Sequence, residues 1–153
     1  MRVVIDTNLW ISFLIGKSLS GLTDAIVANR ITVLFSEQLF TELLEVLRRP
    51  KFKKYFSDTA IKELIALLYE LVEWVEISRR FTDCRDQKDN FLLDLSVSGR
   101  ADYLVTGDED LLMLNPFHDT QIITYRQFEE TAIILLNQSI TTMTNEVQNP
   151  IIN

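Results

Sequence analysis

The apolar positions of this chain change period again and again, and the changes predict strands alternating with helices. Arg2–Ile5 is a short β-branched run with no polar alternation, as in a strand buried on both faces. A helical pattern follows from about Leu9, and another from Leu19 to Asn29. Ile31–Phe35 predicts the next strand. Ser36 is placed to cap a helix over Glu37–Arg49, which Pro50 ends because the residue before proline avoids the α region. Ser57 caps a long amphipathic helix with apolar positions 61, 64, 65, 68, 71 and 72. Trp74–Ile77 predicts a strand, and Asp89–Ser98 a helix with Gly99 just past its end. Asp102–Val105 is a strand, and Gly107 turns the chain into a short helix over Glu109–Leu114. Gln121–Thr124 closes the strand series, before a last helix over Arg126–Asn137.

Strands separated by helical patterns argue for an α/β fold whose central sheet is mostly parallel and covered on both faces. No internal repeat or linker interrupts residues 1–137, read as one domain. Residues 138–153 form a polar tail without a clear period.

Composition narrows the class. The chain has 153 residues, 47% of them hydrophobic and 24% charged, enough apolar matter for one proper core. No apolar run approaches the roughly 18 residues of a membrane span. The opening Met-Arg-Val-Val-Ile-Asp is too short and too soon acidic for a secretory leader, so a cytoplasmic location is expected. A lone cysteine, Cys84, fits a reducing compartment, and with no base near it in sequence it is read as inert. The only histidine, His118, reads as a surface residue in a Pro-Phe-His-Asp loop. The net charge of −7 counts against a nucleic-acid binder. The positive charge is uneven, however: Arg48, Arg49, Lys51, Lys53 and Lys54 put five of fifteen Lys and Arg residues into seven positions.

The chemistry lies in the acids. Carboxylates stand beside apolar runs at Val3-Val4-Ile5-Asp6-Thr7-Asn8, Leu39-Phe40-Thr41-Glu42, Lys88-Asp89-Asn90-Phe91-Leu92 and Leu104-Val105-Thr106-Gly107-Asp108-Glu109-Asp110. Each has an ordinary reading as a cap, a turn or a solvated helix acid. Together they suggest one pocket, because sites in open α/β sheets lie beyond the carboxyl ends of the strands, where Asp6 and Asp108 point. Asp89 opens a helix, on the same edge if the connection before it rises there. Of the two acids on the Glu37–Arg49 helix, Glu42 flanks the apolar face and Glu45 points away from it, which favours Glu42. Asp108 is nearest its strand. Asp110 is either a further ligand or a helix N-terminal charge. Thr7, Asn8 and Thr106 are small polar neighbours able to orient ligands. Clustered carboxylates repel one another unless a cation sits among them, and hard divalent ions take oxygen ligands.

With these residues assembled, the chain resembles the PIN-domain family over roughly residues 2–130. The likeness rests on Val3–Asn8, on Glu42 to Phe52 with its Arg48-Arg49-Pro50-Lys51-Phe52, on Asp86-Gln87-Lys88-Asp89-Asn90, and on Val105 to Leu112. The subgroup it most resembles comprises toxin components of bacterial toxin–antitoxin pairs. Gln87, Ser96, Val97 and Tyr125 depart from the subgroup's usual residues, and none is a proposed ligand. The resemblance implies a three-layer α/β/α sandwich, a Mg²⁺ or Mn²⁺ site and ribonuclease activity on RNA. Its acidic site maps to Asp6, Glu42, Asp89 and Asp108, with Asp110 as a frequent fifth member. It also implies a homodimer silenced by an antitoxin protein. Arg48, Arg49, Lys51 and Lys53 are candidate phosphate contacts, or a solvated basic helix end that suits the helix dipole.

Three other readings stand beside this one. A phospho-receiver module also gathers acids over a parallel sheet, but it needs a late lysine, and none follows Lys88. A PIN-like domain can bind RNA, or serve as an assembly surface, without cutting. A DNA flap nuclease usually needs a larger chain.

Overall fold

The computed structural model describes residues 1–16, 24, 28 and 30–132. The helix expected over Leu19–Asn29 falls almost wholly outside the described residues, as does the tail from residue 138.

Five parallel strands form one sheet in the order β3-β2-β1-β4-β5, built from β1 (Arg2–Ile5), β2 (Thr32–Phe35), β3 (Glu73–Trp74), β4 (Tyr103–Val105) and β5 (Gln121–Ile123). The helices are α1 (Thr7–Gly16), α2 (Glu37–Leu47), α3 (Asp58–Leu71), α4 (Asn90–Ser98) and α5 (Glu109–Leu112), and residues 125–132 are helical as well. The fold is the three-layer α/β/α sandwich.

The middle strands show why the sequence runs apolar without alternation. Val3, Val4, Val33, Leu34, Phe35 and Leu104 are fully buried, as strands covered by helices on both faces must be. Trp10 of α1 packs edge-on against Phe13 and Phe35, joining α1 to β2. Both serine caps form as expected: Ser36 accepts from the Leu39 amide at 3.3 Å and Ser57 from the Ala60 amide at 3.1 Å. Ile61, Leu64 and Leu68 bury the inner face of α3.

One expectation needs correction. The strand expected over Trp74–Ile77 stops at Trp74. Its partner β2 ends at Phe35, whose carbonyl takes one last bond from the Val75 amide at 2.8 Å. Beyond that point side chains of α4 satisfy the backbone: the Ser78 and Arg79 amides donate to Ser98 Oγ, and the Phe81 amide donates to Asp94 at 2.7 Å. Backbone amides need partners, but not necessarily a strand. Gly99 stands just past the end of α4, as expected. The left-handed residue there is Arg100 (φ 51°), and Gly99 has an ordinary φ of −86°. Gly99 is required for space, since a Cβ on it would lie 2.8 Å from Leu34 Cδ1 and 3.0 Å from the Leu95 carbonyl oxygen.

Candidate active site

The strand order reverses direction between β1 and β4, so the chain leaves these neighbours toward opposite faces and opens a crevice at their carboxyl ends. The Asp6 amide donates to the Val105 carbonyl at 3.0 Å, so the two strands stay side by side up to the acid itself. Asp6 is buried, with 7% of its surface exposed. Its Oδ1 accepts from the Asn8 amide at 3.3 Å, and its Oδ2 accepts from the Thr106 hydroxyl at 2.6 Å. Asp6 therefore opens α1 and also faces β4.

Thr106 is fully buried and does two jobs: besides serving Asp6, its Oγ accepts from the Asp108 amide at 3.0 Å. Asp108 caps α5 with Oδ1, which accepts from the Asp110 and Leu111 amides at 2.9 and 3.1 Å. Its other oxygen has no hydrogen-bond partner among the described residues. Glu42, on the flank of α2, accepts from the Thr7 hydroxyl at 3.0 Å. Asp89 sits at the end of a short 3-10 turn over Gln87–Asp89, with no capping bond on its side chain.

These four carboxylates feel one another. Burial pushes Asp6 above the usual carboxylate range, against the stabilising Thr106 bond, and the Asp108 charge adds to the rise. Burial raises Glu42 as well, with Thr7 opposing and the Asp6 charge adding. Asp89 rises to about 6, first through burial and then through the charges of Asp108, Asp86, Asp6 and Glu42. A half-buried pocket with this excess of negative charge favours a cation, and its donors are all hard oxygens. Among the described residues no three His, Cys, Asp or Glu side chains stand close enough together to hold a metal ion as they are, so binding one would require them to turn inward.

Asp110 is drawn aside. Arg85 grips both of its oxygens, at 3.1 Å from Nε and 2.8 Å from a terminal nitrogen. Asn8 contributes its backbone amide to Asp6. Arg48, Arg49, Lys51 and Lys53 are exposed at and beyond the end of α2, and the charge of Arg49 reaches Glu42, where it slightly opposes the rise caused by burial. A cleft of about 800 Å³ opens beside Glu42, between α2 and the run Val75–Ile77, with Arg80 and Lys88 on its walls.

Sequence reasoning missed three supporting residues. Asp94 is buried and orients Arg80 (3.5 Å) as well as the Phe81 amide. Asn90 is buried and ties the Cys84 amide to its side-chain oxygen at 2.9 Å, which fixes the loop that delivers Asp89. Arg85 holds Asp110. A polar residue amid the apolar run Phe91–Leu95 was the available signal for Asp94, but for Arg85 the sequence carried none. Cys84 is buried and its thiol is pushed up by burial, in keeping with an inert residue. His118 is exposed, its ring against Phe81 and Phe117.

Residues 2–110 match the family model described as PIN domain. The chain belongs to the PIN-domain family. PIN domains are generally nucleases and generally use divalent metal ions. An uncharacterized protein of the archaeon Methanocaldococcus jannaschii is 29% identical to this PIN domain protein over 117 residues, covering 74% of this chain and 75% of the relative. Among the described residues no helix is long and apolar enough to cross a membrane.

Proposed function

We propose that this PIN domain protein is a Mg²⁺- or Mn²⁺-dependent endoribonuclease, and that it acts as the toxin of a toxin–antitoxin pair. The observation that supports the nuclease reading is that Asp6, Glu42 and Asp108 lie near enough to Asp89 for their charges to add to the burial that lifts it to about 6, at the carboxyl ends of β1 and β4. The toxin role, a homodimer, an antitoxin partner and a cytoplasmic location rest on the sequence resemblance.

Asp6, Glu42, Asp89 and Asp108 would hold the metal, and Asp110 would join them once released by Arg85. A bound ion would supply Lewis acidity and a water acidic enough to ionise near neutral pH. The residues of the chain supply order. Thr106 fixes Asp6 and the turn into Asp108 through one hydroxyl. Thr7 points Glu42 Oε2 and leaves Oε1 free to take a hydrogen bond from an attacking water. Arg49 and the cations of the adjoining basic stretch offset the repulsion between a phosphodiester and the carboxylates.

A second reading, RNA binding without turnover, is favoured by two observations: Arg85 already pairs with Asp110, and among the described residues the acids are not gathered into a coordination shell. One experiment separates the two. A mixed-sequence labelled RNA is incubated with the parent protein and with Asp108→Asn, in Mn²⁺, Mg²⁺ or EDTA. Metal-dependent cutting lost in the variant supports the nuclease. Binding without cutting under every metal supports the second reading.

A further inference from the structure

The basic stretch that follows α2 is a built surface. Two successive backbone turns lock it: the Phe52 amide donates to the Arg49 carbonyl at 2.9 Å, and the Tyr55 and Phe56 amides both donate to the Phe52 carbonyl at 2.9 and 3.0 Å. Phe52 and Phe56 turn inward and pack against the core. Lys51, Lys53, Lys54 and Tyr55 are left outside, and Tyr55 is 50% exposed. The Lys54 ammonium lies 4.9 Å from the centre of the Tyr55 ring, and the Lys51 ammonium lies 4.9 Å from that of Phe52.

The stretch makes no salt bridge among the described residues. Arg48, Arg49, Lys51, Lys53 and Lys54 form no ion pair with a described residue, although the chain carries 22 acids against 15 Lys and Arg. A solvated helix end in so acidic a chain would be expected to attract carboxylates. Arg49 lies two residues past the end of α2, and its charge reaches Glu42, so the stretch begins within a short reach of the acidic pocket. Cations on a turn-locked backbone beside an exposed aromatic ring are the two elements by which proteins hold single-stranded nucleic acid: the cations follow the backbone and the ring stacks a base. A duplex hides its base faces and offers the ring nothing to stack on.

We propose that Arg48–Tyr55 is a platform for single-stranded RNA leading away from the carboxylate pocket. In this arrangement Tyr55 stacks an unpaired base, and Arg49, Lys51, Lys53 and Lys54 neutralise the flanking phosphates. The platform deepens the nuclease reading by assigning the strand a seat on this chain, and it rests on that reading only for the cut itself.

Binding of fluorescein-labelled RNA is measured by anisotropy on the full chain in EDTA, where a metal-dependent cut cannot occur. Tyr55→Leu should weaken a single strand by roughly tenfold and leave a duplex of the same sequence within about twofold. Tyr55→Phe should bind like the parent. Lys51→Glu with Lys53→Glu should flatten the plot of log affinity against log salt by roughly one unit or more. Melting temperatures of all variants are expected to match the parent, since these side chains are exposed. The platform is overturned by a Tyr55→Leu variant that binds normally, by equal losses on single strand and duplex, by a parent that binds no RNA, or by polyglutamate competing as well as RNA does, which would mark an acidic-protein surface. A parent that binds through Tyr55 but never cuts with Mn²⁺ would retain the platform and remove the nuclease. A parent that cuts as fast after Tyr55→Leu, at unchanged KM, would do the reverse.

Discussion

Thr7 donates its hydroxyl to Glu42 across 35 positions of sequence, at 3.0 Å, and so joins the first turn of α1 to the flank of α2. The bond sets which way the Glu42 carboxylate faces. Thr7→Val keeps the shape of this buried residue and removes the donor. Metal affinity or cleavage rate should fall by roughly tenfold or more, as when a partner that orients a ligand is lost. Thermal unfolding should change little. Normal Mn²⁺ binding and normal cleavage in the variant would show that Glu42 needs no such guide.

Asp89 ties stability to pH with an unusual sign. An unfolded aspartate titrates near 3.9, and burial with its acidic neighbours lifts Asp89 to about 6. Between those values the folded chain binds the extra proton, so this residue's contribution declines as pH rises from about 4 to about 6 and stays at its lowest above that. Asp89→Asn mimics the protonated form. Without metal the variant should be more stable than the parent by about 1 kcal/mol at pH 7, a figure reduced for the partial exposure of the group, and equal to it near pH 4. Urea unfolding at both pH values checks this. A gain of the same size at both would refute the charge argument.

Asp6, Asp89 and Asp108 were legible because each sits at an element boundary marked by apolar periodicity, capping and turn chemistry, all of them local. Glu42 could be separated from Glu45 because helix geometry is also local. The short β3 was misread because its end depends on where β2 stops, which is a property of a neighbour. The grip of Arg85 on Asp110 spans 25 positions between an exposed group and a largely buried one, and it leaves no trace in the pattern of apolar residues.

The end of α4 offers opposite predictions at adjacent positions. Arg100 adopts the left-handed conformation (φ 51°), which costs a side chain roughly 1 kcal/mol that glycine avoids. Arg100→Gly should stabilise the fold by roughly 0.5 kcal/mol, after the added freedom of the unfolded chain is subtracted. Gly99→Ala should destabilise it by roughly 1–3 kcal/mol, because the new methyl meets Leu34, Val75 and the Leu95 carbonyl within 3.2 Å. Chemical unfolding of the two variants tests both signs. An alanine tolerated at position 99 would mean that Leu34 and Val75 can move aside.

Arg85 acts as a resident countercharge for the acidic pocket. It is exposed, with 86% of its side chain accessible, yet it takes both oxygens of Asp110, whose side chain is only 17% accessible. A divalent ion that recruits Asp110 must displace this pair, so the guanidinium competes with the metal. Arg85→Gln removes the charge and keeps a hydrogen-bond donor. The affinity for Mn²⁺ should rise by roughly fivefold, corresponding to about 1 kcal/mol for a partly exposed ion pair, and the gain should shrink as salt is added. Calorimetric titration of Mn²⁺ into parent and variant, at low and high salt, measures it directly. Unchanged or weaker binding would mean that Asp110 stays with Arg85 when metal enters, leaving Asp6, Glu42, Asp89 and Asp108 to hold the ion without it.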